Sequence, residues 1–275
     1  MLGAIAGDII GSLYEFVELK KYDFELLPQG SRFTDDSVMT IAVAYWLAHY
    51  DEYDEIGHTR ERLIECMQEI GRKYPDAGFG SSFYHWLWSE NPQPYNSWGN
   101  GAAMRVSPVG LFAETLDEAL TLAKMSAEVS HNHPAGIAGA QSVAAAVWMA
   151  KHGHSKDEIR DYIMCRFNYD LTRTVDEIRP TYQWDVSCQG SVPESIICFL
   201  EGKDFIDVVR KAVSLGGDAD TMACIAGSIA ACIYPIPEWI ANRCEYLLDP
   251  YLRQRMASFE FSCNFRPLLK MLPDD

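Results

Sequence analysis

The sequence predicts an all-α protein, a compact domain over residues 1–275 in which many short helices pack orthogonally. Apolar residues recur at helical spacing between residues that commonly begin and end helices. No segment alternates apolar and polar residues as a strand does, and no short turn signal indicates a hairpin. Because the helical segments are many and short, crossed packing is favoured over a long up-and-down bundle. The length is sufficient for one sizeable hydrophobic core.

The first helix is predicted over residues 3–16, where apolar and small residues recur at helical spacing. Gly3, Gly7 and Gly11 form a stripe of small residues that allows close packing against another helix. Asp8 and Glu15 are seven residues apart, so they are expected on one face, about two turns from each other. Two carboxylates on an otherwise buried helix indicate either a functional face or a face turned to solvent.

The remaining helices follow from the same spacing and from cap residues. One begins at an acidic turn and ends at about His49, and a peripheral amphipathic helix is predicted from Glu55 to Lys73. Residues 75–101 mix glycines and prolines with aromatic residues and are predicted to be irregular; long loops of this kind are often functional. Pro134 and Pro193 are each expected in the first turn of a helix. Further helices are predicted to end at residue 112 and to cover residues 115–130, 134–151, 154–167, 191–201, 204–214 and 221–234, with two short helices after them.

Composition and charge restrict the class of protein. The formal net charge of −16 at pH 7 argues against nucleic acid or an anionic membrane as a general partner. The eight cysteines form no Cys-x-x-Cys pair and mostly lie in apolar helical segments, which is typical of reduced core residues in a cytoplasmic protein. No basic leader precedes the apolar N-terminus, and the small-residue run from Ala135 to Ala150 is too short to span a membrane. A soluble cytoplasmic protein is therefore expected.

The segment Leu215–Thr221 places two glycines before two carboxylates and a hydroxyl, immediately ahead of an apolar helix. Asp218 and Asp220 could not share a target from inside a helix, because side chains two residues apart point away from each other. They could share one from a loop that enters a helix, with Gly216 and Gly217 supplying unusual backbone angles. Oxygen ligands crowded at such a junction suit a hard divalent cation, whereas an ordinary helix N-cap is the alternative interpretation.

A second copy of this pattern is Thr34-Asp35-Asp36, again at the start of an apolar helical stretch. One N-cap needs one oxygen, and adjacent carboxylates repel each other unless a cation or the helix N-terminus compensates them. We therefore predict that the two acidic turns, nearly two hundred residues apart, form the halves of one binuclear metal site. Magnesium fits better than zinc, because the candidate ligands are oxygens rather than histidine and cysteine.

Two further features could contact a ligand. The loop from Tyr95 to Gly101 is rich in glycine and polar residues and precedes a helix, an arrangement that presents backbone N–H groups to phosphate oxygens. An ordinary turn is the competing interpretation of such a short motif. His131 lies at a polar helix junction just before Pro134, where it could bind a ligand or be a hydrogen-bonded core residue.

Taken in order along the chain, these motifs resemble the ADP-ribosylglycohydrolase family, which includes the dinitrogenase-reductase-activating and ADP-ribosyl-acceptor hydrolases. The resemblance extends from residue 3 to about residue 230 and rests on several motifs together. The segment from Val186 to Val192 resembles the family's nucleoside-side lining only loosely. The motifs are Gly7-Asp8 with Glu15, Thr34-Asp35-Asp36, Gly99-Asn100-Gly101-Ala102-Ala103-Met104-Arg105, His131 and Gly216-Gly217-Asp218-Ala219-Asp220-Thr221.

The resemblance implies an all-helical fold that holds two magnesium or manganese ions, with Glu15 as a movable carboxylate at the cluster. The implied metal ligands are Glu15, Thr34, Asp35, Asp36, Asp218, Asp220 and Thr221. The implied substrate contacts are Tyr95, Asn96, Ser97, Trp98, Gly99, Asn100, Gly101, Met104 and His131. Within this second set, the loop would hold the diphosphate of ADP-ribose.

The expected activity is metal-dependent hydrolysis of the bond between ADP-ribose and a modified acceptor, with protein arginine as the first candidate. Asp35 would orient or deprotonate an activated water and Glu15 would pass a proton near the scissile bond, although these catalytic roles could be exchanged. The alternatives are hydrolysis of O-linked ADP-ribosyl-serine or of a small ADP-ribosylated metabolite, and a non-catalytic ADP-ribose-binding or structural relative. The expected partner is an ADP-ribosylated protein or small molecule.

Overall fold

The structure is a computed structural model that describes residues 1–49 and 60–269, with side chains described as far as Cys263. Over these residues the backbone forms helices joined by turns and loops, with one isolated antiparallel bridge between Gly99 and Ser187, which confirms the all-α prediction. None of the described helices is both long and apolar enough to cross a lipid bilayer. The helices are α1 Leu2–Gly11, α2 Asp35–Ala48, α3 Arg60–Gly71, α4 Ser81–Trp88, α5 Gly101–Met104, α6 Ser107–Phe112, α7 Leu116–Glu128, α8 Pro134–Lys151, α9 Lys156–Phe167, α10 Val175–Ile178, α11 Cys188–Glu201, α12 Phe205–Ser214, α13 Ala219–Ala230, α14 Glu238–Leu247 and α15 Pro250–Leu269.

The glycine stripe of α1 packs directly on the backbone of α13. A Cβ atom at Gly7 would lie 2.0 Å from the carbonyl oxygen of Ala223, and one at Gly11 would lie 2.5 Å from the Cα of Asp220. Both separations are far shorter than a van der Waals contact, so only glycine permits this approach of the two helices. The predicted close packing is confirmed, and it places Asp8 beside the start of α13.

The start of α2 is tied to α1 through the Asp8 carboxylate. The backbone N–H groups of Thr34 and Ser37 donate to Asp8 Oδ2 at 3.0 and 3.1 Å, and the Thr34 hydroxyl donates to Oδ1 at 2.6 Å. Asp8 thus accepts from N–H groups at the start of a helix, where no intrahelical partner is available. Because α1 also packs on α13, the beginnings of α2 and α13 lie at the same end of the core.

The first helix is shorter than the sequence predicts. α1 ends at Gly11 and the chain then turns, so Glu15 does not share a helix face with Asp8, and the expectation of one face carrying both carboxylates is wrong. The hydroxyl of Ser12 donates to a carbonyl one turn back, a side-chain bond that competes with helix continuation. The turn returns Glu15 to the N-terminal end of α13, close to the carboxylates there.

The aromatic segment within residues 75–101 contains a helix that the sequence analysis does not predict. α4 buries Phe83, Trp86 and Leu87, which have the spacing of one helix face. The glycines and prolines around α4 mask this spacing, and the prediction of a wholly irregular segment is wrong. The peripheral helix predicted from Glu55 to Lys73 corresponds to α3, which covers Arg60–Gly71. Residues 55–59 of that prediction lie outside the described residues.

The C-terminal half differs from the prediction in where some helices begin and end. α11 begins at Cys188, three residues earlier than predicted, because the Ser187 side chain accepts a backbone N–H and caps the helix. Pro193 therefore lies inside α11 and not in its first turn. The final helix, α15, has 20 residues and is not short. Pro134 lies in the first turn of α8, as predicted.

Replacing Gly7 with alanine is expected to lower the free energy of unfolding by about 3 kcal/mol or more, because the added methyl group would overlap the α13 backbone. Urea denaturation would show a lower midpoint with an unchanged slope. Gly80→Ala is the control, since no atom lies within 4 Å of the position that a Cβ would take there. Equal midpoints for the two variants would contradict the close packing of α1 on α13.

Candidate active site

A cavity of about 690 Å³ opens where the N-terminal ends of α2 and α13 meet the loop before α5. Every predicted site residue except Thr34 lines this cavity, so the two acidic turns meet in space although they are far apart in the sequence. The predicted residues in the lining are Glu15, Asp35, Asp36, Tyr95, Asn96, Ser97, Trp98, Gly99, Asn100, Gly101, Met104, His131, Asp218, Asp220 and Thr221. Residues that the predicted site set omits also line it, among them Phe16, Gly78, Phe83, Arg105 and Trp184.

The carboxylates of the cavity form two groups with one member in common. Oxygen atoms of Asp8, Asp36 and Asp220 lie within 4.8 Å of one another, and so do oxygen atoms of Glu15, Asp218 and Asp220. Within the described part of the chain, these are the two groups of three Asp, Glu, His or Cys side chains whose ligand atoms are close enough to share an ion. Asp220 belongs to both groups, so its carboxylate is close to every other acid in the two groups.

The electrostatics of the cluster favour cation binding. Burial, followed by repulsion from neighbouring carboxylates, raises the pKa of Asp36 and Asp220 well above the usual range. Burial and nearby acids likewise raise the pKa of Asp218 to about 6 and that of Glu15 to about 8. Asp36 Oδ1 is buried and has no hydrogen-bond partner among the described residues. A set of oxygen donors with an unpaired buried carboxylate oxygen fits magnesium or manganese better than a softer metal.

Asp8 is a member of the cluster that the predicted ligand set omits. Its carboxylate is fully buried and accepts from Thr34 and Ser37. Thr221 donates to Asp36 Oδ2 at 3.2 Å, so the two threonines each bond to a carboxylate of the cluster. The sequence signal for Asp8 is a lone carboxylate within an apolar, glycine-striped helix, since burying such a group is costly unless it is paired.

Asp35 lies apart from both carboxylate groups. Its backbone N–H donates to the Ala77 carbonyl at 3.0 Å, and its side chain lines the cavity beside Gly78, where a Cβ would lie 3.3 Å from Oδ1. Gly78 has a φ of 111°, a conformation that favours glycine, and it leaves the Asp35 carboxylate accessible from the cavity. Asp35 is therefore placed to contact a bound molecule.

The loop from Tyr95 to Gly101 is held in a defined shape next to the acidic turn of α13. The Asn100 N–H donates to the Val186 carbonyl at 2.8 Å, and the Asn100 side chain donates to Asp218 Oδ2 at 2.7 Å. Asn96 has a φ of 55°, a left-handed conformation that asparagine tolerates better than most residues. The bond from Asn100 joins the loop directly to the Asp218 carboxylate, so the position of this carboxylate depends on the shape of the loop.

His131 reaches the same cavity from the junction between α7 and α8. Arg105 Nη2 donates to the Ser130 hydroxyl oxygen at 3.0 Å, and this oxygen lies 2.8 Å from His131 Nδ1. Because the Ser130 oxygen accepts from the guanidinium, we assign its proton to the bond with Nδ1, which leaves the ring proton on Nε2, near Gly101. Burial and then the charge of Arg105 lower the pKa of His131 well below its usual range, so the ring is neutral.

The loop that carries Glu15 is fastened to the acidic turn of α13 by a lysine. Lys20 Nζ donates to the backbone carbonyls of Tyr182 and Leu215, and the latter directly precedes the two glycines of the turn. These glycines have φ values of 64° and 106°, which confirms the predicted unusual backbone angles. The Glu15 loop and the acidic turn are therefore held together by a charged side chain at the C-terminal end of α12, where a cation is favourable.

The family model described as ADP-ribosylglycohydrolase matches residues 1–262, which include both acidic turns, the glycine-rich loop and His131. The chain belongs to the ADP-ribosylglycohydrolase family. The resemblance inferred from the motifs is confirmed, and membership of this family indicates that the protein is an enzyme that acts on ADP-ribosylated substrates. An enzyme is thus favoured over the non-catalytic alternative.

Relatives of this chain are found in an animal and in a bacterium. The human protein named ADP-ribosylhydrolase ARH3 is 27% identical over 326 residues, covering 89% of this chain and 88% of its own length. The Pseudomonas putida protein named ADP-ribosylarginine hydrolase Tri1 is 22% identical over 268 residues, covering 87% of this chain and 72% of its own. A solved structure titled ADP-ribosylglycohydrolase-related protein complex shares the fold, with a TM-score of 0.72 at 20% identity over 97% of this chain and 96% of that chain.

The raised pKa values predict that, without a metal ion, the protein becomes less stable as pH rises. Between about pH 4, where carboxyl groups of an unfolded chain titrate, and about pH 8, the buried acids bind more protons in the folded protein than in the unfolded chain. The lowered pKa values of His131 and of the N-terminal amine act in the opposite direction, but these are two groups against four acids. The free energy of unfolding should therefore fall from pH 6 to pH 8 in EDTA. Magnesium should raise the melting temperature more at pH 8 than at pH 6, because cations favour the ionised carboxylates.

Asp220→Asn tests whether the cluster causes this behaviour. The substitution removes the shared charge and keeps an oxygen for the Thr221 N–H, which donates to Asp220 Oδ1 at 2.9 Å. The variant should melt higher than wild type in EDTA at pH 8 and should lose the increase caused by magnesium. Asp161→Asn removes the same charge from a side chain that is 76% exposed and should behave as wild type. An unchanged magnesium response in Asp220→Asn would show that the ions bind elsewhere.

Proposed function

We propose that this enzyme hydrolyses the glycosidic bond between ADP-ribose and a modified protein side chain, arginine first, with two divalent cations held in the cavity. The observation that carries the proposal is Asp220, whose carboxylate belongs to both groups of acids next to a loop suited to a diphosphate. In two-metal hydrolytic sites, the two cations act together on the reacting oxygens. A carboxylate that belongs to two acid groups would suit such a pair of cations.

Magnesium, with manganese as an alternative, would be held by the two acidic turns and the Glu15 loop. The buried, unpartnered Asp36 Oδ1 supports this assignment, because it lacks any donor among the described residues. Bound there, the cations would hold the vicinal hydroxyls of the distal ribose and make water near its anomeric carbon more acidic. The proposed ligands are Glu15, Thr34, Asp35, Asp36, Asp218, Asp220 and Thr221, with Asp8 holding Thr34 and the start of α2 in place.

The protein's own carboxylates would supply orientation and proton transfer. Cleavage of the anomeric bond passes through an oxocarbenium-like state, in which the leaving group gains a proton and water loses one. Asp35, whose side chain lines the cavity outside both acid groups, would orient the attacking water or take its proton. Glu15 would carry a proton to the leaving group from the turn after α1. The exchanged assignment, with Glu15 as base and Asp35 as acid, is the alternative.

ADP-ribose would occupy the cavity beside the carboxylates. Four backbone N–H groups of the loop from Tyr95 to Gly101, those of Tyr95, Asn96, Gly99 and Asn100, already donate within the protein. The other N–H groups of the loop would bind the diphosphate, and the neutral His131 would add a donor through Nε2. The indole of Trp98 is 52% exposed and lines the cavity, where it offers a flat surface to the adenine ring. Asn100, which is part of this loop, donates to the Val186 carbonyl and to Asp218. Diphosphate binding to the loop would therefore set the position of the ribose relative to the acids.

The acceptor would lie beside Glu15, where two aromatic rings form part of the cavity lining. The rings of Phe16 and Trp184 stack with centroids 5.2 Å apart and an interplanar angle of 16°. A carboxylate next to stacked rings suits a guanidinium, which pairs with the acid and lies flat on an aromatic face. The name of the Pseudomonas putida relative, an ADP-ribosylarginine hydrolase, supports arginine as the acceptor. O-linked ADP-ribosyl-serine and small ADP-ribosylated metabolites are the alternative substrates.

Incubation with ADP-ribosyl-arginine and ADP-ribosyl-serine peptides tests the proposal directly. We expect release of ADP-ribose from the arginine peptide, and only when magnesium is present. Asp218→Ala and Asp35→Ala should each lower kcat by about 100-fold or more, because both change groups at the reacting centre. Release from the serine peptide alone would show that serine and not arginine is the acceptor, and it would not contradict the proposed metal site. Release from neither peptide, or a wild-type rate for either variant, would contradict the proposal.

Ser130→Ala tests the proposed orientation of His131. The variant removes the hydroxyl that joins Arg105 to Nδ1, so the ring loses the bond that directs Nε2–H into the cavity. We expect KM for the substrate to rise about five- to tenfold with little change in kcat. Ser126→Ala is the matched control, because its buried hydroxyl has no hydrogen-bond partner among the described residues. The same KM in both variants would argue against a role for this hydrogen-bond chain.

A further inference from the structure

A second cavity, of about 520 Å³, adjoins the substrate cavity, and the side chain of Trp184 lines both. It is bounded by α10, the segment from Thr181 to Asp185 and the start of α11. None of the proposed metal ligands and none of the residues 95–101 line it. A polypeptide with its modified residue in the substrate cavity would therefore have a second cavity within reach, past Trp184.

Negative charge predominates in this second cavity. Its charged lining residues are Arg173, Glu177, Asp185 and Glu194, so three acids face one base. The guanidinium of Arg173 bonds to Glu194 Oε1 and also lies 3.9 Å from Asp170 Oδ2, so its charge is divided between two acids. The excess of carboxylates disfavours an anion such as phosphate and favours a cation.

Glu194 gives independent evidence for a missing donor. Its side chain is 6% exposed, and Oε2 is buried without a hydrogen-bond partner in the described part of the chain. Buried carboxylate oxygens are nearly always paired, so an unpaired one in the wall of a cavity points to a donor supplied by a ligand. Burial raises the pKa of Glu194 despite the opposing effect of Arg173, which agrees with incomplete compensation by the protein.

The spacing of these acids fits an organic cation better than a metal ion. Among the residues that the structure describes, the acid groups close enough to share an ion contain neither Glu177, Asp185 nor Glu194. A guanidinium or ammonium carries several N–H donors and can reach carboxylates that are too far apart for one ion. The rings of Tyr182 and Trp184, which also line the cavity, can lie against such a cation.

We propose that the second cavity binds a basic side chain of the protein substrate, an arginine or lysine close in sequence to the ADP-ribosylated residue. The inference rests on the proposed function and adds the substrate class, which is ADP-ribosylated sites flanked by basic residues. The net charge of −16 favours the approach of such segments. A small ADP-ribosylated metabolite would leave this cavity unused.

The test compares two peptides that carry the same ADP-ribosylated residue and differ only in whether arginine or alanine flanks it. Wild-type enzyme should show a kcat/KM about five- to tenfold higher for the arginine-flanked peptide, and added salt should reduce this preference. The double variant Glu177→Gln, Asp185→Asn removes two charges but retains oxygens for the N–H groups of Thr174 and Ser187. It should lose the preference and hydrolyse free ADP-ribosyl-arginine at the wild-type rate.

Asp176→Asn is the matched control. Asp176 is adjacent to Glu177 in sequence, is 88% exposed, bonds to Arg179 and does not line the cavity. This variant loses the same charge nearby and should retain the full preference for the arginine-flanked peptide. Equal kcat/KM values for the two peptides in wild type, or an undiminished preference in the double variant, would overturn the inference.

Failure of the proposed function would give a different result, with no release from any substrate. In that case the inference is tested by binding. Fluorescence anisotropy would measure the affinity for a labelled, unmodified arginine-rich peptide with ADP-ribose present. Tighter binding to wild type than to the double variant would support a site for basic side chains. Equal binding to both proteins would overturn it.

Discussion

The geometry of the candidate active site is set by the direct contact between the backbones of α1 and α13. Glycine at positions 7 and 11 lets the two helix backbones meet, and this brings carboxylate oxygens of Asp8 and Asp220 within 4.8 Å of each other. A side chain at either glycine would move the helices apart and spread the carboxylates. Since a close-packed interior leaves little room for adjustment, the packing of the core sets the geometry of the cluster.

The same cluster opposes folding when no cation is present. Its carboxylates are removed from water and lie close together, and both effects raise their pKa values above those of an unfolded chain. Hydrogen bonds from α2 and from the glycine-rich loop compensate part of the charge, at Asp8 and Asp218 respectively. The remainder would be neutralised by ions, so stability and activity would depend on the same binding event.

Hydrogen bonds join the parts of the cavity that would bind the diphosphate to the parts that would act on the ribose. Asn100 connects the loop to Asp218, and Lys20 connects the Glu15 loop to the turn before α13. The chain from Arg105 through Ser130 holds His131 as a neutral ring facing the loop. A change in one part of the cavity would therefore disturb the others, which is expected where a substrate must be placed accurately for reaction.

Local patterns predict the helical class, the two acidic turns and the glycine-rich loop. Each of these is a feature of neighbouring residues: helical spacing, cap residues before apolar runs, and glycines beside polar side chains. For His131 local patterns leave a ligand contact and a core position open, and only the family resemblance implies a substrate contact. Together the motifs were also specific enough to indicate the family, which the match over residues 1–262 confirms. The masked spacing of α4 marks the limit of such patterns, because aromatic residues among glycines and prolines do not distinguish a short helix from a loop.

Residue type and spacing thus indicate which side chains could do chemistry, whereas the grouping of these side chains follows from the fold. Only the fold shows that α1 stops at Gly11, that Glu15 returns to Asp220, and that Asp8 completes one acid group. Only the fold places a second, acidic cavity next to Trp184. These relations arise from contacts between segments far apart along the chain, whereas spacing and capping report on neighbours within a few residues.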